Sequence, residues 1–154
     1  MLSHYSKVCV ILLQLHQKEF SVCNTPISKF INQLKSKLEK HYKTKMGYVW
    51  VREQYEAHSQ HYHIAIMLNG HTCQSSRGID RVVKELWENI DKDNFSYRIK
   101  NRIYRPTRYE DDAEYRAAIM RMSYMAKKKG KTNFPYKVKA NGSSHLRAKC
   151  ANNR

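Results

Sequence analysis

Tyr48-Val49-Trp50-Val51-Arg52-Glu53 and Tyr62-His63-Ile64-Ala65-Ile66-Met67-Leu68 decide the fold of this chain. Both runs are rich in β-branched and aromatic residues, a short polar segment joins them, and the second closes on the turn pair Asn69-Gly70. That pattern predicts an antiparallel hairpin. Because Ile64 to Leu68 is apolar at successive positions, both faces of its strand are expected to be covered and the strand to lie near the centre of a sheet.

Working outward, Val8-Cys9-Val10-Ile11-Leu12-Leu13-Gln14-Leu15 has the same two-sided apolar character and reads as a first central strand. Between it and the hairpin, Thr25-Pro26 serves as N-cap and first helical position. Ile27, Phe30, Ile31, Leu34, Leu38 and Tyr42 then recur at helical spacing, giving an amphipathic helix with a basic outer face that Gly47 ends. Beyond the hairpin, Ile79, Val82, Val83, Leu86, Trp87 and Ile90 form one helical stripe from Ser76 onward. Phe95, Tyr97, Ile99 and Ile103 alternate with Arg98, Lys100 and Arg102, which predicts a strand with one basic face, stopped by Pro106. Asp111 and Asp112 suit the positive end of a helix running to about Lys128, followed by a short strand near Phe134 to Lys139. The order is that of a split βαββαβ, ferredoxin-like α+β domain with a mainly antiparallel sheet and an extra C-terminal helix. It is expected to occupy residues 1–145 as a single domain, with residues 146–154 a basic flexible tail.

The 154 residues carry 29 Lys and Arg against 13 Asp and Glu, a formal charge of +16, and 41% of them are hydrophobic, with 11 Tyr, 4 Phe and 2 Trp. That apolar content builds a core and excludes a wholly disordered basic protein. A charge surplus of this size strains the compact state by self-repulsion unless a polyanion neutralises it, and nucleic acid is the expected partner. A membrane is not: the longest apolar run, Val8 to Leu15, is far shorter than the ~20 residues of a span and is not followed by a small-residue cleavage site. The expected location is the cytoplasm. Cys9, Cys23, Cys73 and Cys150 include no Cys-x-x-Cys pair, which argues against a zinc ribbon or disulfide framework.

Two local features carry chemistry. His61-Tyr62-His63 places two imidazoles on one face of a strand about 6–7 Å apart, where both reach one divalent cation. Glu53 on the preceding strand, or Glu56 in the loop, is the candidate carboxylate, since the hairpin register decides which of them faces the pair. A His-x-His pair also occurs as structural or solvent-facing histidines, and His58 and His71 flank the hairpin as spare candidates. Ser123-Tyr124-Met125-Ala126-Lys127 lies on the last helix. At 100° per residue, Ala113, Ala117, Met120 and Tyr124 share one side, and Tyr115, Ile119, Met122 and Ala126 share another. Tyr124 is thereby either an ordinary half-buried tyrosine or a hydroxyl offered to a cleft, with Lys127 one turn on. Gly130-Lys131-Thr132 is no phosphate-binding loop, because Met125 stands where the first glycine would be required.

A Glu-bearing strand, a His-x-His strand and a Tyr-x-x-Lys helix in this order resemble the HUH endonuclease superfamily. The resemblance is to the small rolling-circle replication initiators of filamentous phages and related prophage elements. It spans about residues 5 to 145 and rests on Val49-Trp50-Val51-Arg52-Glu53, on His61-Tyr62-His63 through Asn69-Gly70, and on Ser123-Tyr124-Met125-Ala126-Lys127. The resemblance implies that His61, His63 and Glu53 hold Mg²⁺ or Mn²⁺, that Tyr124 is the nucleophile, and that Lys127 assists it. It further implies a single-strand DNA nickase and strand transferase acting through a 5′-phosphotyrosine on single-stranded or hairpin origin DNA, with a host replication helicase or polymerase as candidate further partners. Arg98, Lys100, Arg102, Lys128, Lys129 and Lys131 are the cations expected to track the DNA backbone. Two departures stand out. Met120 and Lys128 occupy the positions of a second helical tyrosine, and only Asn141-Gly142-Ser143-Ser144 corresponds to the relatives' C-terminal Gly-Ser element. A single-tyrosine transposase and a non-catalytic single-strand binder are the alternative functions.

Overall fold

The computed structural model describes residues 1–54, 60–109, 113–125 and 138–149. Its elements are β1 (Val8–Gln17), α1 (Thr25–Tyr42), β2 (Gly47–Glu53), β3 (Gln60–Asn69), α2 (Arg77–Glu88), β4 (Phe95–Tyr97), β5 (Ile103–Tyr104), α3 (Ala113–Met125) and β6 (Asn141–Ser143). The strands run β4-β1-β3-β2-β6, with β5 pairing β1 beside β4, and every pairing is antiparallel. The fold is thus the expected α+β arrangement, and β3, which carries both histidines, is flanked by β1 and β2 at its heart.

The register explains why β1 and β3 are apolar on both sides. Cys9, Ile11, Leu13 and Leu15 share a face with Tyr62, Ile64, Ile66 and Leu68, and this face is closed by Ile27, Phe30, Ile31, Leu34 and Leu38 of α1 and by Ile79, Val83, Leu86 and Trp87 of α2. Val8, Val10, Leu12, Ala65 and Val51 line the other face, where Ala118 and Met125 of α3 pack. Each Leu, Ile or Val so buried stabilises the fold by about 1.5–3 kcal/mol. At one end of the second face the pattern changes: Gln14, His16, Glu53, His61 and His63 replace apolar side chains. The sheet is therefore greasy under α3 and polar just beyond it.

Four expectations are corrected in detail. Helix α1 ends at Tyr42 rather than Gly47. Lys43 takes a left-handed conformation (φ 51°) and Glu39 accepts the Met46 amide at 2.8 Å, so the chain turns before Gly47 opens β2. The strand expected over Phe95 to Ile103 is split into β4 and β5. The chain takes six steps from Tyr97 to Ile103 while β1 takes three, from Gln14 to Ile11, and Asn101 (φ 50°) lies in the excess loop. On α3 the packing stripe is Ala118, Met122 and Met125, so Met122 comes from the second predicted stripe while Ala118 and Met125 come from neither. The start of this helix at Asp111 and Asp112 and its end near Lys128 fall outside the described residues. The last strand is Asn141–Ser143, whereas Val138 and Lys139 are not in a strand and Phe134 to Lys137 fall outside the described residues.

Strand β6 gives the C-terminal Gly-Ser element a structural purpose. It pairs with β2, Ser144 exchanges hydrogen bonds with the Tyr48 backbone, and the two hydrogen bonds between Asn24 and the Lys139 backbone (2.8 and 3.0 Å) fix its approach. Gly142 lies flat against the Trp50 indole, where an added Cβ would stand 2.6 Å from Nε1. Gly142→Ala should therefore lower stability by about 1–3 kcal/mol through overpacking. Gly78→Ala, in α2 with nothing within 4 Å of the new methyl, should be neutral or slightly stabilising. Urea denaturation of the two variants, side by side, checks both.

Candidate metal centre and tyrosine cleft

Position along β2, β3 and β1 settles which side chains converge. Glu53 pairs with His61, and His61 with His16; one step along, Val51 pairs with His63, and His63 with Gln14. Partners across antiparallel strands share a face, so Glu53, His61, His63, Gln14 and His16 all point to the polar end of the α3 side. Glu53 Oε2 lies 3.0 Å from His63 Nε2 and 3.3 Å from His61 Nε2. Among the described residues, these three offer donor atoms all within 4.8 Å of one another. Glu56 and His58 fall outside the described residues, and His71 is engaged elsewhere, 3.0 Å from Ser6 Oγ.

This donor set fits a divalent cation. At metal–ligand distances of about 2.0–2.1 Å, neighbouring donors of an octahedron stand about 3 Å apart, close to the two Glu53–histidine separations. Two imidazoles with one carboxylate suit a first-row divalent cation, and three protein ligands on one face leave coordination positions open. Burial, reinforced by His63, lowers the His61 pKa despite the opposing pull of Glu53. Its imidazole is accordingly favoured in the neutral state that a metal ligand needs.

The face behind the triad holds it in place. Arg52 is buried, and its guanidinium donates to the Cys23 carbonyl (3.0 Å), the Ser21 carbonyl and Gln60 Oε1. Gln60 Nε2 donates to Gln17 Oε1 at 2.8 Å, and the Tyr62 hydroxyl reaches the same oxygen at 3.2 Å. Burial pushes the Tyr62 phenol up to about 12, keeping it a donor. This network joins the ends of β1, β2 and β3 one residue away from Glu53 and His61.

On the open side, a cleft of about 340 Å³ is lined by Gln14, Glu53, His63, Ile99, Arg121 and Tyr124, among others. Tyr124 is 55% exposed. It reaches the cleft because Ala118, Met122 and Met125 pack α3 over the apolar half of the face and carry its end toward the polar half. Arg121, three residues earlier and so one helical turn away, lines the same cleft. Sequence reasoning missed it, although its i−3 spacing to Tyr124 was the available signal. Tyr115 lines a separate cavity with Met1, Leu2, Ala118, Ile119 and Met122. Lys127, Lys128, Lys129 and Lys131 fall outside the described residues.

His16 is the second residue that sequence reasoning passed over. Its ring stacks on His61 (centroids 5.0 Å, 14°), Gln14 Nε2 stands 3.3 Å from its Nε2, and burial followed by the two neighbouring histidines lowers its pKa to about 4. Of the predicted backbone-tracking cations, Arg98 and Lys100 are exposed on the excess loop after β4. Arg102 is not a nucleic-acid contact: it is 5% exposed, and its guanidinium donates to Ser76 Oγ at 2.7 Å and to Asp80. The broken strand turns it inward to clamp the start of α2.

The family described as YagK/YfjJ C-terminal domain matches residues 1–144. No curated protein matches the chain. Among solved structures, a match is the de novo designed protein Foldit4, 14% identical over 67% of this chain and 99% of that one, with a TM-score of 0.37.

Two measurements check this assignment. In titration calorimetry, His61→Ala combined with His63→Ala should abolish Mn²⁺ binding, and Glu53→Gln should weaken it at least tenfold; binding that survives the double substitution would place the metal elsewhere. Arg102→Ala should cost about 1–3 kcal/mol of stability and leave the salt dependence of DNA binding unchanged. Lys100→Ala should do the reverse, reducing the log–log slope by about 0.7.

Proposed function

The chain belongs to the YagK/YfjJ C-terminal domain family, a family of prophage-associated proteins, and from the site it carries we propose that it is a metal-dependent single-strand DNA nickase and strand transferase that starts rolling-circle replication. One observation carries the reading. Tyr124, on a helix distant in sequence from the hairpin, lines the same cleft as Glu53 and His63, so a phenolic nucleophile and a set of metal donors face one volume.

The chemistry uses these residue types in distinct roles. Glu53, His61 and His63 would hold a divalent cation, which would supply Lewis-acid stabilisation of the charge on a scissile phosphate. Tyr124 Oη attacks phosphorus, forming the tyrosyl–phosphate bond as the bond to the 3′ oxygen breaks. The phenol's proton balances the alkoxide that leaves as a free 3′-OH. Arg121 lining the cleft supplies positive charge that favours the phosphate there. Because the phosphodiester is exchanged rather than hydrolysed, the 5′-phosphotyrosine conserves the bond for rejoining. Tyr124 shares its cleft with ligands of its own chain, which favours an initiator acting in cis over a transposase that donates its tyrosine across a dimer. The +16 charge, together with exposed Arg98 and Lys100, supports DNA as the partner.

Incubating the protein with labelled single-stranded DNA and Mn²⁺ should yield a denaturation-resistant adduct on the 5′ end of the released fragment. Tyr124→Phe should abolish the adduct with little change in DNA affinity, and Tyr115→Phe, in the other cavity, should leave it intact. Products bearing a free 5′-phosphate and no adduct under any metal would make water the nucleophile and end the tyrosine reading.

A further inference from the structure

The triad does not end the row of rings on its face. His16 stacks on His61 on one side and on Phe95 on the other (4.9 Å, 14°), and Tyr97 meets both His16 and Phe95 edge-on at 4.8 and 5.1 Å. The column thus runs across β3, β1 and β4, from a metal ligand to the sheet edge. Strand β4 ends the sheet on that side. Phe95 is 42% exposed and Tyr97 is 53% exposed. Single apolar residues at a surface are ordinary, but these two continue a stack whose last ring, on an edge strand, has no further strand beside it among the described residues.

The shelf is held before any ligand arrives. Asn94, buried just before it, accepts the Lys18 amide at 3.1 Å and donates to the Trp87 carbonyl at 3.3 Å, while the Trp87 indole donates to the His16 carbonyl at 2.8 Å. Strand β4 is only three residues long, too short an edge to recruit another chain by strand pairing. The exposed cations Arg98 and Lys100 follow it directly. A ring face next to phosphate-binding cations is the pairing that single-stranded nucleic acid fits, with bases on the ring and backbone on the charges.

We infer that Phe95 and Tyr97 form a base-stacking platform that seats an unpaired nucleobase beside the metal centre, Phe95 extending the His61–His16 column by one aromatic layer. Strand β4 lies two strand spacings from β3, about 10 Å, so the seated base belongs to a nucleotide close to the scissile phosphate. The platform holds the strand against sliding without reading its sequence, because every base has a π-face. The inference rests on the proposed action on single-stranded DNA and adds the subsite that positions the strand.

The test uses the full chain with Tyr124→Phe, so that no strand is cut, and fluorescence anisotropy with two probes: a labelled thymidine oligonucleotide and an abasic strand with the same number of phosphates. Phe95→Ala should weaken thymidine binding about tenfold, and Tyr97→Ala several-fold, with the abasic strand bound as before and the salt slopes parallel. Phe95→Trp should restore thymidine affinity. Phe95→Leu, which keeps apolar bulk and the wild-type melting temperature, should still lose it. Equal losses on both strands, or none on either, overturn the platform. The adduct assay on protein retaining Tyr124 separates the two proposals. An adduct with unchanged thymidine preference in Phe95→Ala removes the platform alone, and a lost preference without any adduct removes the nickase and leaves the platform standing.

Discussion

A buried guanidinium sets the register on which everything else depends. Arg52 stands in the fully covered face of β2, and its Nη1 and Nη2 donate to two carbonyls of the segment before α1 and to Gln60 at the start of β3. A buried cation without acceptors costs several kcal/mol. Sliding β2 by one residue against β3 would separate Arg52 from Gln60 and, because side chains alternate, would turn Glu53 to the opposite face. The same contact ties the Ser21–Cys23 segment to the sheet and so fixes where α1 begins. One interaction on the greasy side thereby sets the geometry of Glu53, His61 and His63 on the polar side.

Given that register, the sheet divides along its length on the α3 side. Val8, Val10, Leu12, Ala65 and Val51 provide an apolar bed for α3, and the same strands two to four residues further on present Gln14, His16, His61, His63 and Glu53. Five polar or titratable side chains on one end of a sheet contribute little burial energy, a cost that locally consistent folds accept mainly at sites of function. The apolar half offsets it by seating the helix that brings Tyr124 and Arg121 over the polar half. Tyr124 and the cluster of Glu53, His61 and His63 then belong to separate elements whose relative position depends on Ala118, Met122 and Met125.

The parts of this arrangement that were legible in the sequence are those with a clean period. Ile64 to Leu68 announced a doubly covered strand, and the stripes Ile27 to Leu38 and Ile79 to Trp87 announced the two helices that cover it. The shared face of His61 and His63 followed from strand alternation once the hairpin was recognised, whereas Glu53 stood beside Glu56 as a candidate until the register set it opposite His61. Helix α3 was harder, because alanines and methionines recur around most of its circumference and three stripes look equally apolar. Only the partner surface chooses Ala118, Met122 and Met125. His16 was hidden by distance in sequence, although its parity with Gln14, opposite Leu13 and Leu15, marked it as facing away from the main core. Gly142 was visible as part of a Gly-Ser element, but its purpose became clear only with Trp50 against it.

Arg102 shows how a small departure from regularity sorts residues of one type into different jobs. Read as an unbroken strand, Arg98, Lys100 and Arg102 fall on one basic face. The three extra residues opposite β1, with Asn101 in its left-handed conformation, lift Arg98 and Lys100 off the sheet and return the chain at Arg102, whose backbone oxygen rejoins β1 through the Leu12 amide at 2.9 Å. Its side chain then points to Ser76 and Asp80 at the head of α2. The exposed pair is free to vary with the needs of binding, since no helix depends on it. The buried arginine is tied to the position of α2, and through Trp87 and Asn94 to β4, where the ring column ends.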